Sequence, residues 1–183
     1  MNRSEFWELI DKTRLASSGN SNKQAELLVA ELSKLSEQEI LDYQETLDDL
    51  QDEAYIADLW ALGSILDGLG FSDDAFTDFR AWLIGQGKDV FEKALTNPES
   101  LVDYVEPGQK IVAEILLYVA YEAYELKTGK SAETMPSTRQ FKPRPELVGT
   151  LPNDQDSMLK RFPKAKEKFW DWWQNNKDKL FLT

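Results

Sequence analysis

An all-α fold is predicted by three observations. Apolar residues recur at helical spacing almost without interruption as far as Gly129, helix-start signals punctuate them, and no alternating β-branched stretch competes. With 183 residues, 42% of them hydrophobic, the chain can bury one sizeable core and is short for two domains of ordinary size. The expected organisation is a helical core over 1–129, an extended strap over 130–153, and a C-terminal helical extension of the same domain over 154–183.

The first helix is expected to start at Ser4 and to place Phe6, Leu9, Ile10 and Thr13 on one face, until Ser17-Ser18-Gly19-Asn20 breaks it. Ser21 with Gln24, and Ser36 with Glu39, both fit the capping box, in which two side chains satisfy each other's orphaned backbone donors. In the helix after Ser36, Ile40, Tyr43, Leu47, Leu50 and Ala54 fall within roughly 80° of arc, and Asp42, Glu45, Asp48, Asp49, Asp52 and Glu53 lie within roughly 140° on the other side. A more apolar helix follows over 54–66, closed at Gly68 or Gly70.

Ser72 is the next N-cap, with Asp73 and Asp74 in the first turn and Phe71 placed to staple onto Phe76. That helix ends at Gly85 or Gly87. Another covers Lys88 to Leu95, and Asn97-Pro98 opens a short one. Over 110–128 the apolar residues surround the axis, which predicts a central buried helix ended by Gly129. Pro136, Pro143, Pro145 and Pro152 then argue for the strap. Asp154 or Asp156 restarts helix, and Ala165, Phe169, Trp172 and Trp173 form an apolar face that docks the tail.

Charge is distributed unevenly. The chain has 33 acids, 21 bases and a formal net charge of -12. Between Ser36 and Phe79 there is no lysine or arginine, yet the segment carries Glu37, Glu39, Asp42, Glu45, Asp48, Asp49, Asp52, Glu53, Asp58, Asp67, Asp73, Asp74 and Asp78. Those thirteen acids supply the whole imbalance. From Lys127 onward the sign reverses, with twelve bases against seven acids, so the tail is a rival intramolecular partner for the acids.

Composition also narrows the chemistry. With no cysteine and no histidine, the chain lacks thiolate nucleophiles, zinc-thiolate sites and the commonest general base, so no cofactor and no catalytic residue is assigned. Phosphate backbones and anionic lipid repel so acidic a chain, which argues against nucleic-acid and membrane partners. The apolar run Ile115 to Tyr121 is far short of a membrane span, and the expected location is cytoplasmic.

Several words along the chain carry a family resemblance. They are Phe6-Trp7-Glu8-Leu9-Ile10-Asp11, Ala54-Tyr55 with Asp58-Leu59-Trp60, Ser72-Asp73-Asp74 with Phe76, Phe79-Arg80 and Trp82-Leu83-Ile84, and Tyr121 to Tyr124 leading to Thr128-Gly129. Together they resemble a bacterial family catalogued as domain of unknown function 4240, with a weaker echo in Arg161-Phe162-Pro163. The resemblance implies a helical bacterial cytoplasmic domain and brings no activity with it. Where the family reads paired glycines before Ser-Asp-Asp, this chain has Gly68-Leu69-Gly70-Phe71, which implies a longer or differently stapled loop.

Two candidate surfaces emerge. Asp42, Glu45, Asp48, Asp49 and Asp52 form an acidic stripe opposite the apolar face, suited to a basic protein partner such as the toxin opposite an immunity or antitoxin protein. Self-repulsion is accepted there, because no lysine occupies an i+4 position where it would relieve the acids. Asp58, Asp73, Asp74 and Arg80 form a polar constellation that would suit a hard cation or acid-base chemistry in a small metal-dependent enzyme or ligand-binding protein. Its plainer explanation is helix-start aspartates, with Arg80 paired to Asp58 or Glu53. A third reading, a nucleic-acid mimic, requires carboxylates spaced like phosphates on one exposed ribbon.

Overall fold

Ten α-helical segments, joined by 3-10 turns and one π turn, make up the computed structural model, which describes residues 1–68, 71–136 and 145–180. Helices α1 (Arg3–Ser17) and α2 (Ser21–Leu32) form a hairpin, and α2 and α3 (Glu37–Glu53) both pack on α7 (Val119–Thr128). Between them lie α4 (Ala57–Leu66), α5 (Asp73–Gly85) and α6 (Lys88–Thr96), with α5 in contact with α1, α3, α4 and α6. A continuous buried core runs from Phe6 to Phe169 and so takes in the tail. Among the described residues the only β pairing is an isolated parallel bridge between Ile56 and Val148.

The helix starts follow from side chains that reach orphaned backbone donors. At α3 the expected capping box forms: Ser36 accepts from Glu39 N–H, and the Glu39 carboxylate accepts from Ser36 N–H at 2.8 Å. Ser72 caps α5 by accepting from Ala75 N–H at 3.1 Å. Two predicted caps are displaced. Asn2, not Ser4, caps α1, because its amide oxygen accepts from both Ser4 and Glu5 N–H while Glu5 reaches back to Asn2 N–H. Asn20, not Ser21, caps α2 by accepting from Lys23 N–H at 2.9 Å. In both cases an asparagine upstream offers an equally good acceptor and starts the helix earlier, by two residues in α1 and one in α2.

Three further expectations are corrected. Helix α4 begins at Ala57 and not at Ala54, because Ile56 is drawn into extended backbone: Val148 N–H donates to Tyr55 O at 3.0 Å and Ala57 N–H to Val148 O at 2.9 Å. Phe71 packs its ring edgewise on Phe79 at 5.5 Å; the face of Phe76 is stacked against Trp60 at 4.7 Å. The segment 110–128 is not one buried helix. Ala113 N–H donates to Asp78 O, a 3-10 turn covers Glu114–Leu117, Ile115 and Tyr118 are exposed, and only Val119–Thr128 is α-helical. An all-round apolar pattern there serves an irregular segment laid across α5 and α2, which a helical wheel cannot distinguish from a buried helix.

Gly68 closes α4 with φ 86°; the alternative at Gly70, and Pro143 of the strap, lie outside the described residues. Helix α5 ends at Gly85, and Pro98–Asp103 is a 3-10 turn. The strap holds a 3-10 turn at Ala132–Thr134 and, further on, the bridge at Val148. The tail starts at Asp154, which caps α8 (Gln155–Arg161) reciprocally with Ser157. Beyond it α9 (Pro163–Ala165) passes through a π turn, Lys166–Trp170, into α10 (Asp171–Leu180).

The tail docks as expected through Ala165 and Phe169, both fully buried. Its two tryptophans divide the work. Trp173 lies over Gly68 and donates Nε1–H to Leu66 O at 3.2 Å, and Trp172 lies over Gly108. The ends are electrostatically matched as well: Glu99 accepts from Lys164 N–H at 2.6 Å and Ala165 N–H at 3.2 Å, and Lys168 Nζ donates to Val102 O and Val105 O. An acid therefore sits on the start of the tail helix, and a base on the last carbonyls of the 3-10 turn it meets.

Candidate functional site

The second half of α3 and the first half of α5 wall a cleft of about 400 Å³ lined by Asp48, Gln51, Asp52, Tyr55, Asp73, Thr77, Arg80, Leu117 and Pro145. The α3 residues arrive there by helical repetition: Gln44, Asp48 and Gln51 lie within roughly 60° of one another on the wheel, at the border between the apolar and acidic arcs. From α5 come Asp73, Thr77 and Arg80, each one turn apart.

Arg80 organises the floor. It is 8% exposed, and its guanidinium carbon lies 4.9 Å from the centre of the Tyr55 ring and 4.8 Å from that of Phe76. Nη1 donates to Gln51 O at 2.7 Å, Nη2 to Thr77 Oγ1 at 3.0 Å and Nε to Phe76 O at 3.4 Å. The planar fork thus ties α3 to α5 through a backbone carbonyl left at the end of α3.

Two glutamines at this seam are buried, each 6% exposed. Gln51 Nε2 donates to Thr77 O at 3.4 Å and Gln44 Nε2 to Asp48 Oδ1 at 2.9 Å. Their Oε1 atoms have no hydrogen-bond partner among the described residues. Buried acceptors are ordinarily satisfied, so an orphaned pair on either side of Asp48 is uncommon.

The predicted residues separate into groups. Of the polar constellation, Asp73 and Arg80 meet in the cleft, Asp74 is exposed on the first turn of α5, and Asp58 lies elsewhere, paired with Arg161 at 2.6 Å. The expected pairing of Arg80 with Asp58 or Glu53 is replaced: Glu53 binds Arg3 at 2.5 and 2.7 Å, because Arg80 points inward to the carbonyl end of α3. Among the described residues no group of three carboxylates converges as a metal site.

The stripe divides too. Glu45 and Asp49 are exposed, Asp48 and Asp52 turn toward the cleft half-buried, and Asp42 binds the N-terminal ammonium of Met1 and Gln38 Nε2. Those contacts hold the Asp42 carboxyl below its ordinary range. Glu45, Asp48, Asp49, Asp52 and Arg80 each have a further interaction, so the stripe is not a row of unpaired charges. Behind α5, partial burial together with Glu114 and Asp74 pushes the Asp78 carboxyl up.

Gln44, Gln51, Thr77, Leu117 and Pro145 escaped the sequence reading of the site. The two glutamines had a signal, their seven-residue spacing at the edge of the apolar arc; Leu117 and Pro145 arrive from distant segments and had none.

Fold and cleft define an all-helical domain with an acidic helix beside a polar cleft, and no described helix is long and apolar enough to cross a membrane. The chain belongs to the family described as a protein of unknown function, DUF4240, whose model matches residues 1–126. The match ends before the strap and tail. No curated protein and no solved structure matches the chain.

Proposed function

We propose that this protein is a noncatalytic binding domain whose acidic surface over residues 37–78 receives a basic protein partner. The carrying observation is the placement of Glu45 and Asp49 on the exposed side of α3, directly beside Asp48, Asp52 and Asp73 of the cleft, in a segment without a lysine or arginine. An acidic patch of this kind attracts a basic surface and accelerates its encounter. The immunity or antitoxin class, in which a small acidic protein neutralises a basic toxin, is the instance that size and charge favour.

The test is affinity capture from the native host with the full chain, in parallel with a variant reversed at Glu45→Lys, Asp49→Lys and Asp52→Lys. The expected result is a captured protein of isoelectric point above about 9, lost from the variant and released as salt rises to about 0.5 M. Capture that is unchanged by charge reversal overturns the surface.

A further inference from the structure

A second concavity, separate from the cleft, lies where α1 passes the start of α3, and its volume is about 350 Å³. Glu5, Glu8, Leu9 and Lys12 reach it from α1, because they fall within roughly 100° of one another on the wheel. Leu35, from the turn before α3, and Glu39, from its first turn, complete the lining with Met1. Met1, Leu9 and Leu35 pack against the core yet are only partly buried, so the groove has an aliphatic floor open to solvent.

Its acids are not matched by bases. Glu5 accepts from Asn2 N–H at 2.7 Å, Glu8 from the Ser4 hydroxyl at 3.4 Å, and Glu39 from Ser36 N–H at 2.8 Å and the Ser36 hydroxyl at 2.6 Å. Each set of bonds uses one oxygen of its carboxylate, and no lysine or arginine among the described residues pairs with any of the three. The two cations at the groove are held by acids that do not line it: Lys12 Nζ by Glu31 at 2.9 Å, and the Met1 ammonium by Asp42. Ser36 holds the Glu39 carboxyl below its ordinary range, with a smaller contribution from the Met1 ammonium, so that acid is ionised at neutral pH.

An aliphatic floor walled by carboxylates matches an occupant of the complementary pattern, apolar at its centre and cationic at its flanks. The chain's own basic tail is placed elsewhere, on α4 and Pro98–Asp103, and no described tail residue lines the groove. Glu39 also stands roughly 15 Å before Asp49 on α3 and about 80° around its axis, so one partner can reach both groove and stripe. We propose, resting on the binding reading above, that the groove seats a short segment of the basic partner in which aliphatic residues are flanked by lysine or arginine. Its aliphatic side chains lie on Met1, Leu9 and Leu35, and its cations on Glu5, Glu8 and Glu39.

The probe is an acetylated Lys-Leu-Leu-Lys amide, titrated into the full-length protein and followed by NMR of the Leu9 and Leu35 methyl groups. Two controls separate the contributions: Lys-Ser-Ser-Lys keeps the charge without the apolar centre, and Glu-Leu-Leu-Glu keeps the centre with the charge reversed. The first peptide is expected to shift both leucines and to bind at least about tenfold more tightly than either control. Glu8→Gln combined with Glu39→Gln, which leaves the capping box at Ser36 intact, is expected to weaken it about fivefold. Equal binding of either control, or indifference to the double substitution, overturns the proposal. A chain that dimerises with its Leu35 methyl groups shifting on dilution also overturns it, because a second copy then fills the groove. If the peptide fails while host capture remains sensitive to Glu45 and Asp49, the groove falls and the outer stripe alone holds the partner. If the peptide binds as expected and no basic protein is captured, the groove's selectivity stands and the protein-binding reading falls.

Discussion

Arg80 shows how much one residue can connect. Its three donors join the carbonyl end of α3 to the first half of α5, and its flat face lies near both Tyr55 and Phe76. Lysine retains the charge and loses the fork, leaving Gln51 O or Thr77 Oγ1 unanswered. Arg80→Lys is therefore expected to lose about 1–3 kcal/mol, read as a lower urea midpoint at unchanged slope. A midpoint equal to that of the parent would show that charge alone suffices. Gly87 is a second residue with wide reach: at φ 93° it starts α6, and an added Cβ would run into Asp11 Oδ1. That aspartate lies against the start of α6, so α1 places an acid where α6 has no side-chain cap of its own. The composition of Gly87-Lys88 marked a turn, but nothing in it pointed to an acceptor on another helix.

Among the elements, α3 was the most legible, because capping box, apolar face and acidic face all agree along one helix. The segment 110–128 was the least legible. Its backbone is directed by Asp78 O on α5, a partner with no trace in the local pattern. The tail lies between these cases: its aromatic face was readable, while the reciprocal contacts at Glu99 and Lys168 join residues more than sixty positions apart. Lys168→Met keeps an unbranched apolar stem and removes the ammonium that donates to Val102 O, Val105 O and Glu106 and lies over the Phe169 ring. The expected result is a loss of about 1–2 kcal/mol in docking and faster hydrogen exchange confined to 98–105 and 163–176. Uniform exchange across both segments and the core would mean that the tail and body open together.

For the whole molecule, the separation of charge along the chain becomes a set of ties in space. Arg3 meets Glu53, the N-terminal ammonium meets Asp42, Lys130 meets Glu37 and Arg161 meets Asp58, so both ends of the chain bring bases to the acidic segment. Glu31 lies outside that segment and gives the clearest pH signature. Hydrogen bonds from Lys34 and Lys12 pull its carboxyl from 4.5 to about 2. A group depressed in the folded state stabilises when ionised, so its contribution is complete above pH 4.5 and disappears as pH falls toward about 2. Asp42, lowered by the N-terminal ammonium, acts in the same sense. Glu31→Gln is expected to lower the denaturant midpoint by a constant amount above about pH 5 and to converge on the parent as pH falls toward about 2, followed by denaturant midpoints against pH. A parallel displacement at every pH would assign Glu31 a packing role instead.

The sequence by itself determined the helical class, the family and the lopsided charge, and also the helix starts at Ser36 and Ser72 and the stop near Gly68, because those starts and stops rest on neighbours within one or two turns. Only the tertiary structure decided that Asp73 and not Asp58 shares a cleft with Arg80, and that Gln51 lines it with a buried, unanswered oxygen. It also decided which acids face outward and which face the cleft. Those outcomes depend on the angle and depth at which α3 meets α5, a quantity set by packing across the core and absent from any single helix's periodicity.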